Sequence, residues 1–418
     1  MKEFVALDVL IAEARTAMEP LGHSTSTRWQ YDYAWRKFQA HCLAQGSIVF
    51  SSTLAEQYVH KLRDQYEAGT LKPWKFKLIR KATGVLADYA ETGEVHWRPL
   101  PRWGAPVWSS SLFHTTVLTQ YRQHLKAAAY GRGTQEFYAV VGKQFLQYLE
   151  RAGILTGPGI TRTEVSQFIP HAATTYQPTS MRTVLSAVRH FLRFMEDTGI
   201  TVAGLGNAVP RSFGRKTAIV PMLTDAEERQ LLAAIDRTTV VGRRDFAIVL
   251  LALRLGLRAV DIAQLRVTDI HWQTHTVTVV QQKTGRRLDT PLLADVGNAI
   301  IDYLLHGRPN VPSPQVFLRS QAPYIPFMEG HGISHVVRAA LNRAKIRQEP
   351  GQHKGSHILR HSLAARLLAA ETPLPVISSV LGHANKDTTK IYLSTDTEHL
   401  RLCALGLEGI EVTGEAVR

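Results

Sequence analysis

The sequence predicts a mainly α-helical protein with a small β-sheet, divided into more than one domain. Three observations carry this. Apolar residues recur at spacings near the 3.6-residue period through most of the chain. One stretch, Thr276 to Val280, instead alternates β-branched residues and returns at Leu288 to Leu292 after a Lys283-Thr284-Gly285-Arg286 turn, the pattern of a hairpin. At 418 residues the chain also exceeds what one hydrophobic core usually organises.

Taken in order, the first unit, residues 1–105, is helical. Trp29, Tyr33, Phe38 and Cys42 form an apolar stripe that Gly46 can close, and a later run through Val85, Leu86 and Tyr89 ends at Thr92-Gly93. Pro99, Pro101, Gly104 and Pro106, interleaved with Trp97, Trp103 and Trp108, break helices and mark a boundary. The second unit, residues 106–208, reads as an imperfect copy of the first: Thr27, Tyr31 and Phe38 recur as Thr134, Tyr138 and Phe145, and Thr92-Gly93 recurs as Thr198-Gly199. So few matches also arise between any two amphipathic bundles.

Residues 209–222 read as an exposed basic tether, with Arg211, Arg215 and Lys216 between Pro210 and Pro221. Thr224 and Glu227 then make a capping box that opens the last domain, residues 223–418. There Phe246 to Leu257 is an apolar helix leading into Gly256-Leu257-Arg258 and Asp261, and the hairpin follows.

The net charge of +14 points to a polyanionic partner, nucleic acid foremost. The charge is uneven: 26 Lys and Arg against 16 Asp and Glu precede Thr217, and 23 against 19 follow. That asymmetry suggests grip in front and chemistry behind. In the second unit Arg132, Lys143, Arg182, Arg189 and Arg193 are candidates for phosphate contact, with a plain solvated face as the alternative. Cys42 and Cys403 are too few for a disulfide framework or a zinc knuckle, so a reducing cytoplasm, that of a bacterium or its nucleoid, is the expected setting. The longest aliphatic run, Ala247 to Leu253, stops at Arg254, and no leader segment is visible. No membrane partner is expected.

Ser356 to Tyr392 concentrates the chemistry: His357, Arg360 and His361 on one short segment, His383 after a Leu-Gly step, then Tyr392. This is a cationic, proton-handling pocket opposite a phenol. A phenol with a free pKa near ~10 is a poor nucleophile, so it needs a charge-neutralised substrate and a proton acceptor. Phosphodiester cleavage meets that demand. A metal centre is disfavoured although His353, His357 and His361 fall at four-residue steps, because the glutamate of a His-Glu-x-x-His pair is missing and Arg360 would repel a divalent cation. No metal or cofactor is expected.

Together, Gly256-Leu257-Arg258 with Asp261, the hairpin's Lys283, His357-x-x-Arg360-His361, Leu381-Gly382-His383 and Tyr392 resemble the signature of the tyrosine recombinases, or phage integrase family. The resemblance spans about Thr224 to Ser394. It implies helical core-binding-type domains ahead of a mixed α/β tyrosine-recombinase catalytic domain.

It further implies that Tyr392 attacks a DNA phosphodiester to give a 3′-phosphotyrosyl intermediate. Arg258 and Arg360 neutralise the phosphate, with Asp261 orienting them. Lys283 protonates the leaving 5′-oxygen, with Arg286 and Arg287 near enough in the loop to substitute or to touch DNA. His357 and His383 hydrogen-bond the phosphate or handle the tyrosine's proton, and His361 braces the site. The bond energy stays in the intermediate, so neither ATP nor a metal is needed.

The expected partner is double-stranded DNA with a specific recombination site, bound by a homo-oligomer that is a tetramer in the synapse, with an accessory or partner recombinase as a further option. The apolar tail beyond Tyr392 is expected to dock on its own domain or on a neighbour. The alternatives are DNA relaxation like that of a type IB topoisomerase, and a catalytically silent DNA-binding protein of the same fold.

Overall fold

A computed structural model describes residues 5–95, 111–211, 220–327, 329–349, 352, 354–383 and 385–395. Trp97, Trp103, Trp108, Arg215, Lys216, His353 and the apolar tail from Leu400 to Ile410 lie outside the described residues. Helices dominate, with one small antiparallel sheet. By backbone contacts the chain forms two compact units: the N-terminal helices with the C-terminal half, and the helices between them.

The N-terminal helices are α1 (Leu7–Met18), α2 (Thr25–Ala44), α3 (Ser52–Glu67) and α4 (Pro73–Thr92). Ser24 caps α2 by accepting the Thr27 N–H, and the buried Trp35 indole donates to the Ala82 carbonyl at 2.8 Å, fixing α2 to α4. The buried stripe of α2 is Tyr31, Ala34, Trp35, Phe38 and Cys42. This corrects the expected stripe at its N-terminal end, because Trp29 is 61% exposed. Two aromatic ladders share the helix, and only the one stepping 31, 35, 38, 42 stays in phase with Phe38 and Cys42. In the same unit, Gly22 turns at φ +70° beside the Tyr324 ring, which a Cβ there would approach to 3.1 Å.

The middle unit comprises α5 (Leu112–Ala127), α6 (Arg132–Arg151), α7 (Arg162–Thr175) and α8 (Pro178–Asp197). Tyr121, Phe145, Phe168 and Phe191 fill its core. Thr161 and Glu164 form a capping box at α7. Backbone landmarks recur between the two helical sets: left-handed residues at Gly22 and Ala129, Gly46 and Gly153, and Gly93 and Gly199, and a proline opening α4 and α8.

In the C-terminal half, α9 (Asp225–Ala233) starts at the capping box of Thr224 and Glu227. The elements α10 (Val240–Arg254), α11 (Ala259–Gln264), β1 (Ile270–His271), β2 (Thr276–Val280), β3 (Arg287–Pro291) and α12 (Ala294–His306) follow. After them come α13 (Gly330–Arg343), α14 (Ser356–Ala369), α15 (Leu374–Leu381) and a 3-10 helix, Lys386–Thr395. The expected hairpin is β2–β3, with Val277 opposite Thr290 and Val279 opposite Leu288, and β1 adds a short third strand. All of Ala247 to Leu253 on α10 is buried. The Glu228 carboxylate ties Arg254 of α10 to Arg366 of α14, which holds the helix bearing the histidines against the core. None of the described helices is long and apolar enough to cross a membrane.

Candidate active site

The chain brings Gly256 to Asp261, α14, the end of α15 and the final 3-10 helix around one cluster. The reason is backbone hydrogen bonding as much as side-chain packing. Gly256, at φ +63°, faces Leu381 and Leu363 so closely that a Cβ would come within 2.8 and 2.9 Å of them. Its carbonyl accepts Arg360 Nη1 at 2.6 Å, while the Leu381 carbonyl accepts Arg360 Nη2 at 2.7 Å. Gly382, also left-handed, accepts a longer bond from Arg258 Nη2 at 3.4 Å, and a Cβ there would collide with Gln281 at 2.1 Å. The two Gly-containing motifs are thus latched to each other through the two guanidinium groups. Arg360 is only 4% exposed and the Arg258 side chain 14%.

Asp261 completes the latch. It is buried, its Oδ1 accepts the Gln282 N–H at 2.9 Å where the turn of the hairpin begins, and its Oδ2 stands 3.9 Å from Arg258 Nη1. Burial raises its pKa, against the pull of the Gln282 N–H and the two arginines. Arg258 Nη1 is buried and has no hydrogen-bond partner among the described residues. A buried guanidinium donor left unpaired is costly unless an acceptor arrives.

Tyr392 is 1% exposed, its ring among Ala364, Ile377 and Leu381. Its hydroxyl shares a 3.0 Å hydrogen bond with His361 Nδ1 and also bonds Arg360. Burial raises the phenol's pKa, while Arg360 and Arg258 work to lower it. Arg360 itself is pushed down to about 10 by burial and then by Arg258, so it remains charged at neutral pH. His361 stacks on His357 with centroids 6.1 Å apart, and the His383 ring lies parallel to Tyr392 at 6.3 Å. His383 Nδ1 is fixed by Thr389 Oγ1 at 2.8 Å.

Both flanking histidines are neutral near pH 7. His357 is lowered by burial, then by Arg360, Arg258 and Lys283, and His383 is held down to about 4 by burial, then by Arg360, Arg258 and His361. The unfolded chain takes up the His383 proton near pH 6.5 and the folded chain only near 4. Stability from this group is therefore full above about pH 6.5 and lost progressively as pH falls toward 4. The urea midpoint is expected to drop between pH 7 and 5, and His383→Gln to flatten that drop. Equal slopes for the two proteins would remove His383 as the source.

Of the residues singled out from sequence, Arg258, Asp261, His357, Arg360, His361, His383 and Tyr392 converge here. Lys283 is exposed on the hairpin turn, near enough for its charge to bear on His357. Arg286 is exposed on that turn as well. Arg287 lies not in the turn but in β3, where it pairs with Asp289 at 3.1 Å. In the middle unit Arg189 and Arg211 line one cavity of about 480 Å3 together with Arg193. Arg132 pairs with Glu136 on the exposed face of α6, Arg182 is exposed on α8, and Lys143 is half-buried. Sequence reasoning missed Gln281, Thr389 and the carbonyls of Gly256 and Leu381. Only the glycines flanking Arg258 and His383 signalled that backbone approaches closely there.

Comparison with known proteins adds to this geometry. The model described as Phage integrase family matches residues 221–399. A protein named as an integrase/recombinase, y4rA of Sinorhizobium fredii (strain NBRC 101917 / NGR234), is 34% identical over 291 residues, which are 69% of this chain and 70% of that protein. Tyrosine recombinase XerD of Lacticaseibacillus casei is 29% identical over 239 residues, 56% of this chain and 79% of its own. Among solved structures, the XerH site-specific recombinase bound to palindromic difH substrate aligns over 84% of this chain and 95% of its own, with a TM-score of 0.55 and 16% identity. A lambda integrase dimer bound to a COC′ core site aligns over 73% and 99%, with a TM-score of 0.53 and 17% identity. At such identities these two structures speak for the fold.

Proposed function

The chain belongs to the phage integrase family of tyrosine recombinases, and we propose that it is a site-specific recombinase exchanging strands between two DNA duplexes through a 3′-phosphotyrosyl bond to Tyr392. The observation that carries this reading is the Tyr392 hydroxyl, hydrogen-bonded to His361 Nδ1 and Arg360 within reach of the charge of Arg258, whose Nη1 makes no hydrogen bond among the described residues. A phosphate entering between the phenol and Arg258 gives that donor an acceptor and neutralises the repulsion between the two guanidiniums.

In this reading the Tyr392 oxygen attacks phosphorus and its proton passes to His361, a stronger role than bracing. The P–O5′ bond breaks, and the 5′-oxygen takes a proton from Lys283. Arg258 and Arg360 hold the charge that builds on the non-bridging oxygens, Asp261 aligns Arg258, and His357 and His383 donate to or orient the phosphate. Attack by the 5′-hydroxyl of a second duplex reverses the chemistry and completes exchange, with no ATP and no metal.

Residues 223–418 are the catalytic domain, residues 106–208 the core-site grip and residues 209–222 the linker, with Arg189 and Arg193 of the grip and Arg211 of the linker supplying clustered phosphate contacts. Residues 1–105 add a further DNA-gripping unit. The active form on DNA is a homo-oligomer, a tetramer when two duplexes are paired, open to a partner recombinase.

The test uses a nicked duplex spanning the chain's native insertion site and a second, labelled intact duplex of the same sequence. Expected are an SDS-resistant protein–DNA adduct on the first and exchanged strands on the second. Relaxation of supercoiled plasmid without exchange would assign the chain to topoisomerase-like chemistry, and binding without an adduct would make it a silent binding protein.

A further inference from the structure

The aromatic ladder of α2 that does not enter the core forms a surface of its own. Trp29 is 61% exposed, and Trp74 at the start of α4 is 62% exposed. Tryptophans exposed on one helical unit, with a tyrosine and basic side chains beside them, offer surface that a partner can cover. Tyr33 stacks on Trp29 with centroids 5.9 Å apart, and two ammonium groups converge on the Tyr33 ring. Lys37 Nζ, from α2, is 5.8 Å from its centroid, and Lys75 Nζ, from α4, is 5.6 Å away. Arg36 lines the same shallow cavity of about 290 Å3 with Trp29, Tyr33 and Lys37.

The single acid of α2, Asp32, bonds Arg15 of α1 at 2.9 Å, and α4 has no acid before Asp88, near its far end. The middle unit supplies an internal control. With Gly46 set against Gly153 and Pro73 against Pro178, the positions of Trp29, Tyr33 and Lys37 are taken by Glu136, Val140 and Gln144, and those of Trp74 and Lys75 by Thr179 and Ser180. Equivalent helices therefore fold without the cluster, so the fold does not require it. Only the cation at Arg36 has a counterpart, Lys143.

We propose that this face of α2 and α4 is a separate duplex-DNA contact, with Lys37 and Lys75 holding one backbone phosphate beside Tyr33 and the two tryptophans packing on the flanking deoxyriboses. Two ammonium groups drawn to one ring form a socket for an anion, and flat aromatic faces suit the apolar edge of a sugar. A chain whose positive excess is concentrated ahead of Thr217 brings duplex DNA to that socket by long-range attraction. The choice of duplex as ligand rests on the recombinase reading.

The test is fluorescence anisotropy of the full chain with a labelled duplex of arbitrary sequence, about four helical turns long, over a range of KCl concentrations. Lys37→Gln/Lys75→Gln is expected to weaken binding roughly tenfold and, because the two lysines hold one phosphate, to lower the slope of log affinity against log salt by about one. Trp29→Ser/Trp74→Ser is expected to weaken binding at an unchanged slope. Thermal melts of both variants should match the parent, and Lys37→Arg/Lys75→Arg should restore the slope if the glutamine pair melts early. Unchanged affinity and slope in both double variants overturns the proposal, as does competition by polyglutamate equal to that by duplex. An adduct on nicked DNA with unchanged slopes refutes only this face. Altered slopes with no adduct keep the face and refute the recombinase reading.

Discussion

Tyr392→Phe is expected to abolish the SDS-resistant adduct, a loss of at least about 10⁴-fold in cleavage, while leaving a folded chain that binds duplex DNA as the parent does. The ring, not the hydroxyl, holds this residue in place: it is 1% exposed among Ala364, Ile377 and Leu381. Phenylalanine keeps that burial. What is lost is the hydrogen bonding to His361 and Arg360, worth about 1 kcal/mol for each neutral bond and somewhat more to a charged partner. The stability cost is therefore small and the chemical cost total. Gel analysis after incubation with the nicked duplex separates the two, and an adduct of equal yield from both proteins would show that another residue is the nucleophile.

The parts of this site that could be read from sequence are those carried by side-chain identity. A pair of arginines, three histidines and a tyrosine in a fixed order are chemically conspicuous, and the structure gathers them into one cluster. The hairpin and the Thr224 capping box were legible for a similar reason, since alternation and capping are local rules. The two-residue strand β1 was not legible, because it is too short to alternate and exists only through its pairing with Thr276 and Val277. Nor was the latch of Arg360 onto the Gly256 and Leu381 carbonyls, because every residue carries a carbonyl and the sequence does not say which ones meet. Trp29 failed differently. Two aromatic ladders run along α2, and hydrophobicity alone does not decide which phase faces the core.

The two arginines are expected to separate when each is replaced by lysine. Lysine keeps one positive charge but gives up the planar pair of donors. Arg258 contributes one long bond to the Gly382 carbonyl and a 3.9 Å ion pair with Asp261 while Nη1 makes no hydrogen bond among the described residues, so its part in the latch depends less on the planar guanidinium than that of Arg360. Arg258→Lys should change stability by less than about 1 kcal/mol and lower single-turnover cleavage by roughly 10²–10³-fold, the range for a lost charge-stabilising donor.

Arg360 spends two donors on the Gly256 and Leu381 carbonyls in a 4% exposed position. Arg360→Lys leaves at least one of those carbonyls unsatisfied, at about 1–3 kcal/mol, and loosens the backbone that positions His383 and Arg258. Its cleavage should fall by at least about 10³-fold, and its urea midpoint should fall as well. The pair of measurements tests the proposed division of roles, in which Arg258 meets the phosphate alone and Arg360 meets both the phosphate and the scaffold that presents it. Equal destabilisation by both substitutions, with cleavage per folded molecule retained in Arg258→Lys, would show that Arg258 is structural and that its open donor does not meet the phosphate.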